Sequence, residues 1–230
     1  MRIHGLQKLT LLDFPGHTAC TVFTGACNFH CPFCHNASLV LHPDELPTMP
    51  ESELFAFLEK RKKLLDGVAV TGGEPTLQPD LPDFLRRIRE LGYAVKLDTN
   101  GGRPEVLKHI LEAGLADYVA MDIKSSPEHY EKAAGVTGIL CAVKESVELL
   151  RASGIPHEFR TTAVKNLHTA DDFRSIGEWL GGEEQYFIQS YADSGDILGT
   201  GMEAFSNSEL HALLMAVKPY IPSAALRGVD

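Results

Sequence analysis

Two periodicities take turns along this chain. Short runs rich in β-branched and aromatic residues, which suit a pleated and half-buried surface, precede longer stretches with apolar residues three and four apart, the spacing of one helix face. Residues 18–24 (TACTVFT) are the first run, and a Pro-rich connection over 42–50 leads to a helix with Leu54, Phe55, Leu58 and Leu65 on its apolar side. Residues 67–71 form the second strand, and Leu81, Phe84, Leu85, Ile88 and Leu91 mark a helix stopping at Gly92. After a strand at 93–97 comes a helix that opens with Pro104, shows Val106, Leu107, Ile110 and Leu111, and ends before Gly114. Proline in the first turn and glycine past the last are where helix ends favour them. Residues 118–123, 158–164 and 186–191 are the remaining strands. Their helices run through Val143, Val147 and Leu150, through Phe173, Ile176 and Leu180, and through Leu210, Leu213, Leu214 and Val217.

Strands alternating with helices make a parallel sheet with right-handed crossovers. Six such units fall short of the eight that close a barrel. The expected fold is therefore α/β, a partial (β/α)6 barrel in a single domain over 1–230, with a doubly wound sandwich as the alternative. Residues 1–17, punctuated by Gly5 and Asp13-Phe14-Pro15-Gly16, read as a hairpin or extended entry, 18–217 as the six units and 218–230 as a C-terminal tail.

Composition removes several classes of function. With 44% hydrophobic residues the chain can bury one sizeable core. Twenty-one Lys and Arg against 31 Asp and Glu give a net charge of -10 with no basic run, which excludes an extended nucleic-acid footprint. No apolar run approaches bilayer length, and the first residues lack the apolar core of a signal peptide. Five cysteines, three in one loop, do not make a disulfide framework, so a reducing cytoplasm and no membrane are expected. Cys20 and Cys141, in apolar surroundings, read as buried small hydrophobes.

The loop after the first strand is G-A-C-N-F-H-C-P-F-C-H-N, with Cys27, Cys31 and Cys34 at C-x3-C-x2-C spacing. Three thiolates on a cubane iron–sulfur cluster leave one iron open to chemistry; the same loop with His30 or His35 as a fourth ligand would make a closed zinc site. The spacing alone does not separate the two. Other polar residues also fall at C-terminal strand ends, where α/β barrels gather ligand and catalytic groups. They are Gly72-Gly73-Glu74-Pro75, Asp98-Thr99-Asn100-Gly101, Asp122 with Lys124, Arg160, and Gln189 with Tyr191. Each has a bland reading: a strand-to-helix turn for Gly72-Gly73, a turn carboxylate for Asp98, an ion pair for Asp122 and Lys124 on one side of their strand, a surface charge for Arg160. Core packing does not explain all of them at one rim. His35 is open to a zinc, cluster or ligand role, while His17, His109, His129 and His168 receive none.

Taken together, these residues resemble the radical S-adenosylmethionine (SAM) superfamily, and within it the glycyl-radical-enzyme activating proteins of the anaerobic ribonucleoside-triphosphate reductase type. The likeness runs through Cys34-His35-Asn36, Thr71 to Gln78 (TGGEPTLQ), Leu97-Asp98-Thr99-Asn100-Gly101 and Met121-Asp122-Ile123-Lys124, and includes the opening Gly5-Leu6-Gln7-Lys8 and Asp13-Phe14-Pro15-Gly16. It implies a [4Fe–4S] cluster on Cys27, Cys31 and Cys34 whose free iron takes SAM. Phe33 and His35 would lie near the adenine and sugar, and Gly72-Gly73-Glu74 would meet the methionine amino group. Asp98, Asn100, Asp122, Lys124 and Arg160 would line the rest of the SAM site, with a monovalent cation allowed beside the two aspartates. It further implies that an electron from a separate donor of flavodoxin or ferredoxin type cleaves SAM to a 5′-deoxyadenosyl radical, which takes hydrogen from a glycine of the partner, an anaerobic ribonucleotide reductase. No cysteine lies between Cys34 and Gly72, so no ferredoxin-like insertion supplies that electron. One departure stands out: related formate-lyase activators carry histidine where Ala192 stands. The competing readings are a small-molecule radical SAM enzyme of the deazapurine-synthase kind and a non-catalytic zinc module.

Overall fold

The computed structural model describes residues 1–228. Its strands are β1 (Ile3–Thr10), β2 (Ala19–Thr24), β3 (Gly67–Gly72), β4 (Ala94–Thr99), β5 (Tyr118–Asp122), β6 (His157–Ala163), β7 (Tyr186–Ser190) and β8 (Ala225–Arg227). The helices are α1 (Ala37–Leu41), α2 (Glu51–Arg61), α3 (Leu81–Glu90), α4 (Pro104–Glu112), α5 (Tyr130–Ala134), α6 (Leu140–Ser153), α7 (Ala170–Leu180) and α8 (Asn207–Val217). All eight strands belong to one open sheet whose order follows the sequence, β1 to β8. Only β1 is recorded as antiparallel to its neighbour; β2–β3, β3–β4, β6–β7 and β7–β8 are parallel. A doubly wound sandwich reverses its strand order at a switch point, and no reversal occurs here, so the barrel-type succession is the one adopted.

By its internal contacts this α/β domain divides into two compact units: 1–28, 38–120 and 142–156, and then 29–37, 121–141 and 157–230. In the first, Cys20, Val68 and Val95 lie in register across β2, β3 and β4, as do Val22, Val70 and Leu97, and all six are buried. Helix α3 buries Leu81, Phe84, Leu85 and Ile88, the stripe its periodicity marks. The opposite face of these strands is polar, with Thr21 donating to Asp13 at 2.6 Å and Lys96 paired to Asp98.

In the second unit, capping boxes Thr169/Asp172 and Ser206/Glu209 start α7 and α8. Here too charge sits on one sheet face. Fully buried Glu158 of β6 accepts two hydrogen bonds from Arg227 of β8, at 2.7 and 2.9 Å.

The observed elements extend the sequence reading in three places, the first being helix α1 between the cysteine loop and the Pro-rich connection. Strand β8 lies within the stretch read as a tail, whose last residues, 229–230, fall outside the described residues. Helix α5 adds a turn before α6. One reading is corrected: Cys20 is buried, but Cys141 is exposed, because the buried stripe of α6 runs through Val143, Ser146, Val147 and Leu150 and leaves Cys141 on the other side. Among the described residues no helix is long and apolar enough to cross a membrane.

Candidate active site

In the first unit lie the predicted site residues Cys27, Gly72, Gly73, Glu74, Asp98 and Asn100. Beyond β2 the chain passes through Ala26, whose φ of 67° is the left-handed region that L-residues avoid. Two backbone hydrogen bonds hold it there: Ala26 N–H donates to Leu39 O at 2.8 Å, and Ala26 O accepts from Glu74 N–H at 2.7 Å. A Cβ on Gly73 would lie 2.0 Å from Ala26 O, so only glycine lets the two loops approach.

Glu74 is 1% exposed, and every polar contact recorded for its carboxylate is to an uncharged donor. Oε1 accepts from Thr76 N–H (3.1 Å), Thr76 Oγ1 (2.6 Å) and Thr99 Oγ1 (2.8 Å), and Oε2 from Asn100 N–H (2.7 Å). Burial pushes its carboxyl up from the ordinary value, against the pull of these hydrogen bonds. With its backbone so anchored, Asn100 donates from its side-chain Nδ2 to Asn28 Oδ1 at 2.8 Å and to Cys27 Sγ at 3.6 Å. Glu74 therefore steadies the first cysteine through Asn100.

In the second unit lie the predicted site residues Cys31, Phe33, Cys34, His35, Asp122, Lys124 and Arg160. Cys34 N–H donates to Cys31 O at 3.0 Å, closing a turn that keeps the two thiols near each other. The end of α5 supports that turn. Ala134 O accepts from His30 N–H at 2.9 Å and from Cys31 Sγ at 3.7 Å. Gly135, at φ 66°, passes so close that a Cβ would lie 2.2 Å from His30 O. Burial pushes the Cys31 thiol up to about 11 while Lys124 pulls it down.

Asp122 Oδ1 accepts from Arg160 Nε at 2.9 Å and Oδ2 from Lys124 Nζ at 3.1 Å. Burial alone would raise this carboxyl, but Arg160 and then Lys124 outweigh it and hold it at about 2. The Lys124 ammonium lies 6.0 Å from the centre of the Phe33 ring. His35, its ring 5.4 Å from that of Tyr191, is kept toward neutrality by burial and by Lys124, and its Nε2 is buried without a hydrogen-bond partner.

Sequence reading overlooked two residues here. Lys96 is paired to Asp98. His168, which had been given no role, donates from Nε2 to Lys124 O at 2.8 Å, accepts from Val164 N–H at Nδ1, and sets its edge against Phe33.

Residues 21–180 match the radical SAM superfamily, and the chain belongs to it. It is a radical SAM enzyme of a family that uses a [4Fe–4S] cluster and SAM. Among relatives, a protein of Methanocaldococcus jannaschii named as a glycyl-radical enzyme activating enzyme is 28% identical over 235 residues, 99% of this chain and 96% of its own. A GTP 3′,8-cyclase of Saccharolobus solfataricus is 27% identical across 89% of this chain and 64% of its own length. A 7-carboxy-7-deazaguanine synthase of Thermococcus kodakarensis is 33% identical over 109 residues, 47% of this chain and 42% of its own. The fold is similar to that of Streptococcus suis SuiB bound to S-adenosylmethionine, with TM-score 0.71 and 15% identity, across 89% of this chain and about half (49%) of that one.

Among the described residues no group of three His, Cys, Asp or Glu side chains is arranged to hold a metal ion, and it is the chemistry of the donor set that fits the family's cofactors. The three loop cysteines are free thiols. Burial disfavours a lone Cys31 thiolate, a cost that a bound metal cation would offset. The orphaned Nε2 of His35 is a polar atom in want of a ligand.

Proposed function

We propose that the chain is a glycyl-radical-enzyme activase whose partner is an anaerobic ribonucleotide reductase. The observation that carries the activase reading is the relative named as a glycyl-radical enzyme activating enzyme, which matches from end to end while the cyclase and synthase relatives match over part of their length; the reductase as partner rests on the resemblance of the sequence motifs.

In this reading Cys27, Cys31 and Cys34 hold the cluster. Bound there and reduced by a flavodoxin- or ferredoxin-type donor, a [4Fe–4S] cluster would supply one-electron chemistry for reductive cleavage of SAM, from which hydrogen removal at the partner's glycine would follow. The chain's own residues bind and orient. Lys124 and Arg160 bring two positive charges to one carboxylate, Asp122, and the surplus attracts the methionyl carboxylate. The Gly72-Gly73 backbone meets the methionine amino group, with Glu74 fixing that segment. Asp98 would accept from ribose hydroxyls, Phe33 would lie near the adenine, and neutral His35 would offer Nε2 to the nucleoside. Exposed Ala192 offers no imidazole, so the contact that a histidine makes there in related activators is absent from that position.

The test is anaerobic. The reconstituted enzyme, a reductant, SAM and a candidate reductase should give a glycyl-radical doublet in electron paramagnetic resonance and 5′-deoxyadenosine in step with it. The synthase relative favours one second reading, a small-molecule enzyme of the deazapurine kind. Release of 5′-deoxyadenosine with a pterin-like substrate, and no radical on any reductase, would establish that instead.

A further inference from the structure

Lys96 lies in the middle of β4, 1% exposed, on a face where its in-register neighbour on β3 is Ala69 and, beyond it, Thr21 of β2. The methyl of Ala69 leaves room beside it for a four-carbon stem. An ammonium removed from water is costly unless paired. The partner is Asp98, two residues along and so on the same face. Asp98 is the penultimate residue of β4, two before Asn100, whose side-chain amide donates to Cys27 Sγ. The Asp98 carboxylate thus has a counter-ion carried by the chain itself. Asp122 has its own in Lys124 and Arg160.

A monovalent metal cation beside the aspartates, which the family resemblance allows, would neutralise the same charge that Lys96 already meets. We propose that Lys96 is the built-in counter-cation of Asp98 and does the work of an inorganic ion, so that SAM binds to this enzyme without K⁺ or Na⁺. The inference rests on Asp98 belonging to the SAM site. An ion held by Asp98 and a SAM bound beside it would each raise the other's affinity. A tethered ammonium is always present, and that linkage disappears.

The experiment measures SAM affinity of the anaerobically reconstituted holoenzyme by calorimetry in potassium, sodium or tetramethylammonium chloride at equal ionic strength. The wild type is expected to bind equally in all three. Lys96→Met should bind weakly in tetramethylammonium and recover about tenfold in K⁺ or Na⁺, and K⁺ should raise its thermal midpoint but not that of the wild type. The double variant Lys96→Met/Asp98→Asn, which removes both charges, should ignore the choice of salt. A wild type that needs K⁺ or Na⁺ overturns the inference without any variant having to fold, as does a folded Lys96→Met that is indifferent to salt. A wild type that binds SAM in no salt overturns the reading of the site itself, and the two failures are told apart by that result.

Discussion

Glu74 and Asp122 are both carboxylates at strand ends, and their surroundings are opposite. Glu74 is sealed from water among two threonines and a backbone amide, with no cation recorded against it, and burial raises its carboxyl. Asp122 sits between an ammonium and a guanidinium that hold it near 2. The first arrangement makes a rigid knot and the second a charged receptor. A sequence motif containing an acid therefore says little about what the acid does until its donors are known: neutral donors fix a loop, and cations prepare a site for an anion.

The comparison breaks most visibly at Glu74. Glu74→Ala strands at least three buried donors and is expected to cost about 4 kcal/mol, read as a shift in the urea midpoint. It should also loosen Cys27 and lower iron retention. Arg160→Met should cost less in stability, about 2 kcal/mol, since Asp122 keeps Lys124 and some solvent. Its main effect should be on binding, with SAM affinity falling by more than about tenfold as one charge-assisted contact is lost. If instead Arg160→Met were the more destabilising and Glu74→Ala the worse SAM binder, the contrast would be reversed.

Acidity sharpens it further. The raised Glu74 contributes stability that is full below its ordinary value of 4.5 and is lost as pH rises through its folded value. The depressed Asp122 contributes stability present above 3.8 and lost as pH falls toward about 2. Glu74→Gln, at about 1 kcal/mol, should remove the first dependence and leave the second, a change visible in urea midpoints measured from pH 3 to 8.

How much was legible follows from distance along the chain. The six central strands announce themselves by local period, and so does the Asp122–Lys124 pair, two residues apart on one strand face. Lys96 and Asp98 have the same spacing, yet a single lysine in the run Ala94-Val95-Lys96-Leu97 reads as the polar half of an alternation. Its burial depends on Ala69 in another strand. His168 was invisible because its role lies in contacts with Lys124 and Phe33, far back in the sequence. Strand β8 is three residues long, too short for any period to show, and its reason to exist is Glu158, 69 residues away. Cys141 misled because its apolar neighbours in sequence point elsewhere.

The two ends of the sheet carry a consequence for the protein in concentrated solution. An open edge is a template on which a second chain can add a strand and begin to aggregate. At one end β1 is interrupted by register shifts between Ile3 and Gly5 and between Gln7 and Thr10, which break the regular row of donors and acceptors. At the other, β8 offers only Ala225–Arg227, and its arginine is tied back to Glu158. Neither border gives a foreign strand a long, flat row to extend, and the sheet can remain open without growing.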